Sequence, residues 1–350
     1  MKNEKYIKRC IELAKLGAGS VAPNPMVGAV VVHHDRIIGE GYHRKYGEAH
    51  AEVNAIAAVK DKNLLKESTI YVSLEPCAHY GKTPPCAELI IRNGIPRVVV
   101  GSIDPFAAVA GKGIEMLRAE GIEVEVGVLK AECDALNKTF FTYHQKKRPY
   151  IILKWAQTLD GYIDADRTHA ELGQPTWISN ELARVHVHKQ RTEVDAILIG
   201  TNTAVKDNPS LTVRDWSGKQ PLRLVIDRHN RIPETHHIKD GSCETVVFSS
   251  AKCEVRSAES SAAQALNFNQ PIVPQILDWL YQHKIQSLVV EGGNQLLKSF
   301  IDANLWDEAH VYIGNSWFGG GVKAPEFNHL PTQTEIIDDT ILKVFKNASF

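Results

Sequence analysis

His50, Glu52, Cys77 and Cys86 are the residues of this chain whose types and order could do chemistry together. One imidazole and two thiols make a three-ligand zinc set, which leaves the fourth tetrahedral position to water. Zinc lowers the pKa of such a water toward neutrality, so hydroxide is available as a nucleophile at pH 7. Glu52, two residues past the histidine, is placed to shuttle protons without binding the metal.

That order, H-x-E followed by P-C-x-x-C, is the arrangement of zinc-dependent base deaminases. Here the second half departs from it: Cys77 and Cys86 are separated by eight residues. The neighbouring pattern must therefore position the thiols. Residues 68–74, Ser-Thr-Ile-Tyr-Val-Ser-Leu, form a β-branched apolar run that predicts a strand ending at Glu75-Pro76. Residues 87–92 predict a helix that stops at Asn93-Gly94. One cysteine thus falls at a strand end and the other near a helix start. His50 opens a further helix, with Val53, Ile56 and Ala57 as its expected apolar face. The bland alternative is two ordinary buried cysteines and a surface histidine, with His79 an accidental neighbour. The His-x-Glu pair and the Pro-Cys step at a strand end argue against it.

A second constellation lies further on. Gly200-Thr-Asn-Thr203 follows a predicted strand, and Glu291-Gly292-Gly293-Asn294 joins a strand to a helix over 295–302. Glycines at a strand end before a helix let backbone amides approach a phosphate. Lys154, Asp160, Asp207 and Glu291 add charge near strand ends, where α/β sites gather. Tight turns and exposed charges alone would give the same pattern.

The 350 residues exceed one ordinary domain. With 43% apolar and 23% charged residues the composition is that of a globular chain. A net charge of −1 gives no basic field for nucleic acid. No apolar run reaches membrane-spanning length, and six cysteines in this length make no disulfide framework. A reducing cytoplasm is expected.

In chain order, Tyr6, Ile7, Cys10, Ile11 and Ala14 predict a helix, and the glycines at 17 and 19 its stop. Strands follow at 29–32 and 36–39, with His33-His34-Asp35 as a hairpin turn. Beyond the cysteines come a strand at 97–101, a helix around 114–118 and a strand at 122–126. Residues 143–149, basic and ending in proline, read as a solvated connector, so domains are expected at 1–147 and 148–350. The pattern restarts with strands at 150–154, 196–200, 222–226, 245–248, 287–290 and 309–313. A helix over 179–191 is expected, capped by Ser179, with Leu182 and Val185 inward. Residues 251–270, small and aperiodic, read as a surface connection.

These motifs together resemble the family of bifunctional bacterial riboflavin-biosynthesis deaminase–reductases. The matching residues are Asn24-Pro25-x-Val27-Gly28, His43-x-x-x-Gly47-x-x-His50-Ala51-Glu52 and Pro76-Cys77 through Gly81-x-Thr83-Pro84-Pro85-Cys86. Leu136-Asn137-x-x-Phe140 and Arg148-Pro149 match the junction. Lys154-x-Ala156-x-Thr158-Leu159-Asp160-Gly161, Trp177-Ile178-Ser179, Gly200-x-x-Thr203-x-x-x-Asp207-x-Pro209-x-Leu211-Thr212-x-Arg214 and Val290-Glu291-Gly292-Gly293 match the reductase half. The long cysteine loop is this family's own form. The resemblance implies an α/β fold, with a cytidine-deaminase-like three-layer domain before a dihydrofolate-reductase-like domain.

It also implies two successive steps on a small pyrimidine ribosyl phosphate. The first is zinc-dependent hydrolysis of the 2-amino group of 2,5-diamino-6-ribosylamino-4(3H)-pyrimidinone 5′-phosphate. The second is NADPH-dependent reduction of ribosyl to ribityl. By resemblance, His50, Cys77 and Cys86 ligate zinc and Glu52 is catalytic. NADPH contacts fall on Ala156, Trp177, Thr203, Asp207, Gly293, Asn294, Gln295, Leu296, Leu297, Lys298 and Ser299. Substrate contacts fall on Arg191, Leu211, Arg214, Glu291 and Lys154, and in the deaminase half on Asn24, His43, Lys82 and Thr83. Guanidinium forks at Arg191 and Arg214 suit a phosphate. A homo-oligomer is compatible with the pattern; nucleic-acid and membrane partners are not expected.

Residues 164–175 are longer than the family's equivalent, and Pro175 stands where a serine is usual, so that contact is lost. The sequence shows no pocket for a 2′-phosphate; Ser249, Ser250 and Lys252 are the nearest candidates. Two other classes compete. A nucleic-acid or free-nucleotide deaminase with an inert second domain conflicts with the near-neutral charge and the cysteine spacing. A nucleotide sensor without turnover conflicts with the complete His-x-Glu/Cys/Cys set.

Overall fold

The structure is a computed structural model that describes residues 2–80, 84–106, 109–167, 173, 175–250 and 261–347. The chain divides into two compact units, Met1–Lys147 and Arg148–Phe350.

The first unit runs α1 (Lys2–Lys15), β1 (Gly28–His33), β2 (Arg36–Tyr42), α2 (Ala51–Ala58), β3 (Thr69–Leu74), α3 (Cys86–Arg92), β4 (Arg97–Ser102), α4 (Lys112–Ala119), β5 (Glu123–Val126), α5 (Lys130–Leu136) and α6 (Lys138–Lys146). Its strands form one sheet in the order β2-β1-β3-β4-β5. β1 is antiparallel to β2 and β3, whereas β3, β4 and β5 are parallel. The β1–β2 turn has positive φ at both His34 and Asp35, the twist that suits a two-residue hairpin. Alternation along β1 sends Ala29 and Val31 to one face and Val30 and Val32 to the other. α1 and α5 cover the latter; α2, α3 and α4 cover the former. Gly41 makes the α2 contact possible: a Cβ there would stand 2.3 Å from the Ala55 nitrogen. The buried face of α2 is Ala51, Glu52, Ala55 and Ile56. Ala57, expected inward, is exposed, because the approach to β2 selects small residues on the other stripe.

The second unit runs β6 (Tyr150–Gln157), β7 (Tyr162–Asp164), α7 (Glu181–Thr192), β8 (Ala196–Gly200), α8 (Thr201–Asp207), β9 (Leu222–Ile226), β10 (Thr245–Ser250), β11 (Ser261–Leu266), α9 (Ile272–Gln282), β12 (Ser287–Glu291), α10 (Asn294–Asp302), β13 (Glu308–Ile313), β14 (Val322–Lys323), β15 (Gln333–Ile337) and β16 (Thr340–Lys346). Its main sheet has the order β11-β10-β9-β8-β12-β6-β13-β16-β15. It is parallel from β11 to β13 and antiparallel at β16 and β15. The parallel strands are apolar on both faces, as a covered sheet requires. Leu198 packs with α9 and α10 on one side, and Ile197 and Ile199 with Ala204 of α8 on the other.

Three expectations are corrected. Residues 143–149 are not a solvated connector: α6 continues to Lys146, Tyr143 is buried, and Arg148 is 6% exposed. The Arg148 guanidinium forks onto Asp307 at 2.6 and 2.8 Å, and Asp307 also accepts from the Ile151 amide at 2.9 Å. α7 is capped by Asn180, whose side chain accepts from Ala183 N, rather than by Ser179. Its inward residues are Ala183, Val187, His188 and Gln190, while Leu182 is exposed. Within 251–270, residues 261–266 form strand β11 beside β10, and 251–260 lie outside the described residues.

Candidate active sites

In the first unit the chemistry collects at the carboxyl end of β3. Glu75, 4% exposed, accepts from the amides of Asp104 (3.2 Å), Gly111 (2.9 Å), Gly113 (2.9 Å) and Ile114 (3.4 Å). Those bonds fix the chain as it leaves the strand for Cys77. Gly113 must be glycine, since a Cβ would come within 1.9 Å of the Pro76 carbonyl oxygen. Cys86 is the first residue of α3, and its amide donates to Cys77 Sγ at 3.3 Å. His50 stands at the N-cap of α2. Its Nδ1 lies 3.6 Å from Cys77 Sγ and 3.4 Å from Cys86 Sγ. Tetrahedral zinc with Zn–N of about 2.0 Å and Zn–S of about 2.3 Å needs N···S separations of roughly 3.5 Å. The donor set fits the metal without rearrangement.

The electrostatics of the set agree. A hydrogen bond from the Cys86 thiol, then the imidazole, brings Cys77 down to about 4. The Cys77 thiolate in turn holds His50 at about 9. A cation entering the set displaces these protons. Glu52, one residue into α2, is 3% exposed; burial, then the Cys77 charge, raises its carboxyl to about 7 before any cation's field is counted. His79 stands apart from the set, in a T-shaped pair with Phe106.

His43 and Asn24, expected at the substrate, sit beside the ligands. His43 Nε2 is 3.2 Å from Asn24 Nδ2, and its ring meets that of His50 edge-on at 5.4 Å. Lys82 and Thr83 lie outside the described residues. Asn137, matched only as part of the junction motif, has a role that spacing did not show. Its amide grips Met26 through both backbone groups, at 2.8 Å each, and so fixes the segment that carries Asn24.

The second unit holds a cavity of about 970 Å³ across the carboxyl ends of β9, β8, β12 and β6. Lys154 and Glu291 face each other across β6 and β12. The Glu291 carboxylate is 4.0 Å from Lys154 Nζ and 3.2 Å from Arg191 Nη2. Burial alone would raise Glu291, yet Lys154 and Arg191 hold it below its usual range. Burial lowers Lys154, against the pull of Glu291. Arg191 also donates to the Thr212 carbonyl, and its buried Nε has no partner among the described residues. Arg214 and Leu211 line the same cavity.

The glycine turns lie between these groups. Thr203 Oγ1 accepts from Gly293 N at 3.0 Å, tying the two turns together. Gly292 has φ +132, open to glycine alone. A Cβ on Gly200 would meet nothing nearer than 4.0 Å, so a ligand can come close to the backbone there. The cavity volume, the bare turns and the cationic rim fit a dinucleotide.

Of the expected cofactor contacts, Ala156, Trp177, Thr203, Asp207, Gly293, Asn294, Gln295, Leu296 and Ser299 line the cavity. The Leu297 and Lys298 side chains do not. Leu297 is fully buried in the core, and Lys298 pairs with Asp302 on the exposed face of α10. The helical period turns both away. Asp160 is also elsewhere, accepting from Phe318 and Gly319 amides. Asp207 is shared: Arg167, in the longer segment, binds it at 2.6 Å and Asp164 at 2.7 Å. His188 went unread, although it precedes Arg191 by three positions and so shares its helix face.

The sequence of residues 149–343 matches the family described as RibD C-terminal domain. Residues 1–102 match the cytidine and deoxycytidylate deaminase zinc-binding region. The riboflavin biosynthesis protein RibD of Bacillus amyloliquefaciens is 43% identical over 324 residues, covering 91% of this chain and 85% of its own. The chain belongs to the RibD family. Its relative in Escherichia coli K12 is 36% identical, covering 92% of this chain and 90% of its own. A crystal structure of a diaminohydroxyphosphoribosylaminopyrimidine deaminase/5-amino-6-(5-phosphoribosylamino)uracil reductase from Thermotoga maritima superposes with a TM-score of 0.87 at 38% identity, covering 99% of this chain and 98% of that one. As a RibD protein the chain is a bifunctional deaminase and reductase of riboflavin biosynthesis, using zinc and NADPH. Its fold is a cytidine-deaminase-like domain followed by a reductase domain of the dihydrofolate-reductase type.

Proposed function

We propose that residues 1–147 hydrolyse the 2-amino group of 2,5-diamino-6-ribosylamino-4(3H)-pyrimidinone 5′-phosphate. Residues 148–350 then reduce the ribosyl group to give 5-amino-6-ribitylamino-2,4(1H,3H)-pyrimidinedione 5′-phosphate. The observation that carries this reading is the Thermotoga maritima deaminase/reductase, alike over almost the whole of both chains. The cytoplasm is the compartment assigned, since a ligand set with two free thiols needs reducing conditions. No described helix is long and apolar enough to cross a membrane.

In the deaminase, His50, Cys77 and Cys86 hold the metal, which when bound supplies an acidified water and Lewis-acid polarisation. Glu52 takes the proton that the attacking water loses and delivers it to the departing amino nitrogen, so ammonia leaves neutral. Asn24 and His43 orient the pyrimidine.

In the reductase, NADPH supplies a hydride when bound. The C1′–O4′ bond breaks as C1′ gains hydrogen, and O4′ must gain a proton. Lys154 is the cation assigned to that oxygen, with Glu291 holding it in place and Arg191 fixing Glu291. Arg214 binds the 5′-phosphate with Arg191, and Leu211 packs on the substrate.

One coupled assay tests this: ammonia release and NADPH oxidation from the diaminopyrimidine phosphate. Ammonia without NADPH oxidation, or turnover of cytidine in its place, would overturn it.

A further inference from the structure

Among the described residues, two groups of donor side chains stand close enough to share one cation. One is His50, Cys77 and Cys86. The other is His33, His34 and Glu67, which neither activity uses.

Three local features build the second group. Val32 pairs with Thr69 in the antiparallel β1–β3 ladder, so one step further brings His33 level with Ser68, beside Glu67. Glu67 ends a 3-10 turn over Lys62–Glu67 that is held at both ends. Asp61 caps it by accepting from Asn63 N at 3.0 Å, Ser68 Oγ donates to the Leu64 carbonyl at 2.7 Å, and Leu65 is buried in the core. His34 would point to the opposite face if β1 continued. Its φ of 44° turns the chain instead, and its ring centroid comes to 4.0 Å from that of His33, at an interplanar angle of 59°.

The donor atoms converge. His33 Nε2 and His34 Nε2 lie 3.6 and 4.0 Å from the same Glu67 Oε2, and the three atoms all stand within 4.8 Å of one another. Zinc with bonds of about 2.0–2.2 Å needs tetrahedral donor separations of roughly 3.3–3.5 Å. His34 and Glu67 are exposed, so their side chains are free to close the difference. Among the described residues, His33 Nε2 is buried with no hydrogen-bond partner, and Glu67 meets no lysine or arginine. A buried nitrogen without a partner costs free energy that a ligand to it recovers. Two imidazoles and a carboxylate are donors that suit zinc and its first-row neighbours.

The group is separate from the catalytic one. Glu67 precedes β3 and Cys77 follows it; six strand residues at about 3.3 Å each put the two sets roughly 20 Å apart.

We propose that His33, His34 and Glu67 form a second zinc site, which staples the β1–β2 hairpin to the turn that enters β3. Three N and O ligands on an open surface hold the ion more weakly than a set with two thiolates. The ion is lost during purification, and the isolated protein keeps the catalytic zinc alone.

The test is calorimetric titration of Zn2+ into full-length protein that retains its catalytic zinc. Wild type should take up about one further zinc per chain. His34→Ala and Glu67→Gln, both at exposed positions, should each weaken that uptake about tenfold or more, since even the outer partners of a metal site are worth about 10- to 100-fold. Deamination should be unchanged in both, which also shows an intact fold. Cu2+ bound in the same place should show nitrogen hyperfine splitting from two imidazoles in wild type and from one in His34→Ala. Zinc should slow hydrogen exchange at the amides of residues 33–36 and 64–68 in wild type only. No uptake beyond the catalytic zinc, or equal uptake by wild type and both variants, overturns the site. Uptake without local protection overturns the staple.

Discussion

Replacing His188 by alanine should raise the reductase KM and leave kcat nearly intact. His188, 2% exposed, points Nδ1 at the loop that carries Arg214. That nitrogen accepts from Arg214 N at 2.8 Å and Asp215 N at 3.1 Å. A nitrogen that accepts twice carries no proton, so the network assigns a neutral ring with its hydrogen on Nε2. Nε2 then faces the Asp215 carboxylate at 3.7 Å. Alanine removes the acceptor of two amides. At about 0.5–1.5 kcal/mol net for each bond, ordering the loop costs roughly 1–3 kcal/mol more. With tenfold per 1.4 kcal/mol, KM should rise about five- to 150-fold. Lys154, Glu291 and Arg191 are untouched, so the chemical step keeps its groups. Steady-state NADPH oxidation with the deaminated substrate reads this directly. A substrate analogue lacking the 5′-phosphate should show little difference between wild type and variant, because it makes no use of Arg214. His188→Asn, with an acceptor oxygen in a similar place, should recover much of the loss.

The same ring sets a pH dependence. Burial, then the Arg191 charge, pushes His188 down to about 4, from about 6.5 in an unfolded chain. Its depressed pKa means that the unfolded state binds the proton first. The contribution to stability is therefore complete above pH 6.5 and shrinks as pH falls toward 4. A fall in kcat at constant KM in His188→Ala, or an equal penalty on the phosphate-free analogue, would refute the loop-positioning argument.

Glu52→Gln should keep the zinc and lose about 10²–10⁴ in ammonia release, the usual range for a positioned acid–base group. NADPH oxidation from the deaminated substrate should be unaffected, and parallel loss of both activities would count against separate sites. Purified protein should carry about one zinc per chain; Cys86→Ser should lose metal and deamination together, checked by elemental analysis, and full occupancy would contradict the ligand set. Asp307→Ala leaves Arg148 charged and buried, which should destabilise the second unit by about 3–5 kcal/mol in denaturant unfolding.

What could be read from the sequence depended on how local the determinant was. His50 and Glu52 sit two residues apart at a helix start, and the strand before Cys77 announces itself by its β-branched run. Both survive any tertiary arrangement of the remainder. The errors fall where two local choices were equivalent and packing decided. Ser179 and Asn180 can both cap α7; the bond from Ala183 N to Asn180 Oδ1 selects the second. That choice sets which stripe faces Tyr312 and Leu342, and it leaves Leu182 outside. Residues 261–266, Ser-Ala-Ala-Gln-Ala-Leu, include no β-branched residue, yet they pair because β10 offers an open parallel edge. The expected candidates for a 2′-phosphate pocket were misjudged for a related reason. Ser249 and Ser250, expected to follow a strand, lie within β10 and do not line the cavity, and Lys252 lies outside the described residues. Only the strand order shows that β10 is one strand beyond β9, whose Ile226 lines the cavity. Strand order is a property of long-range pairing, and no spacing along the chain encodes it. At Leu297 and Lys298 the family resemblance names residues whose side chains lie off the cavity. A contiguous segment was taken as a unit, whereas a helix presents only part of its surface to a ligand.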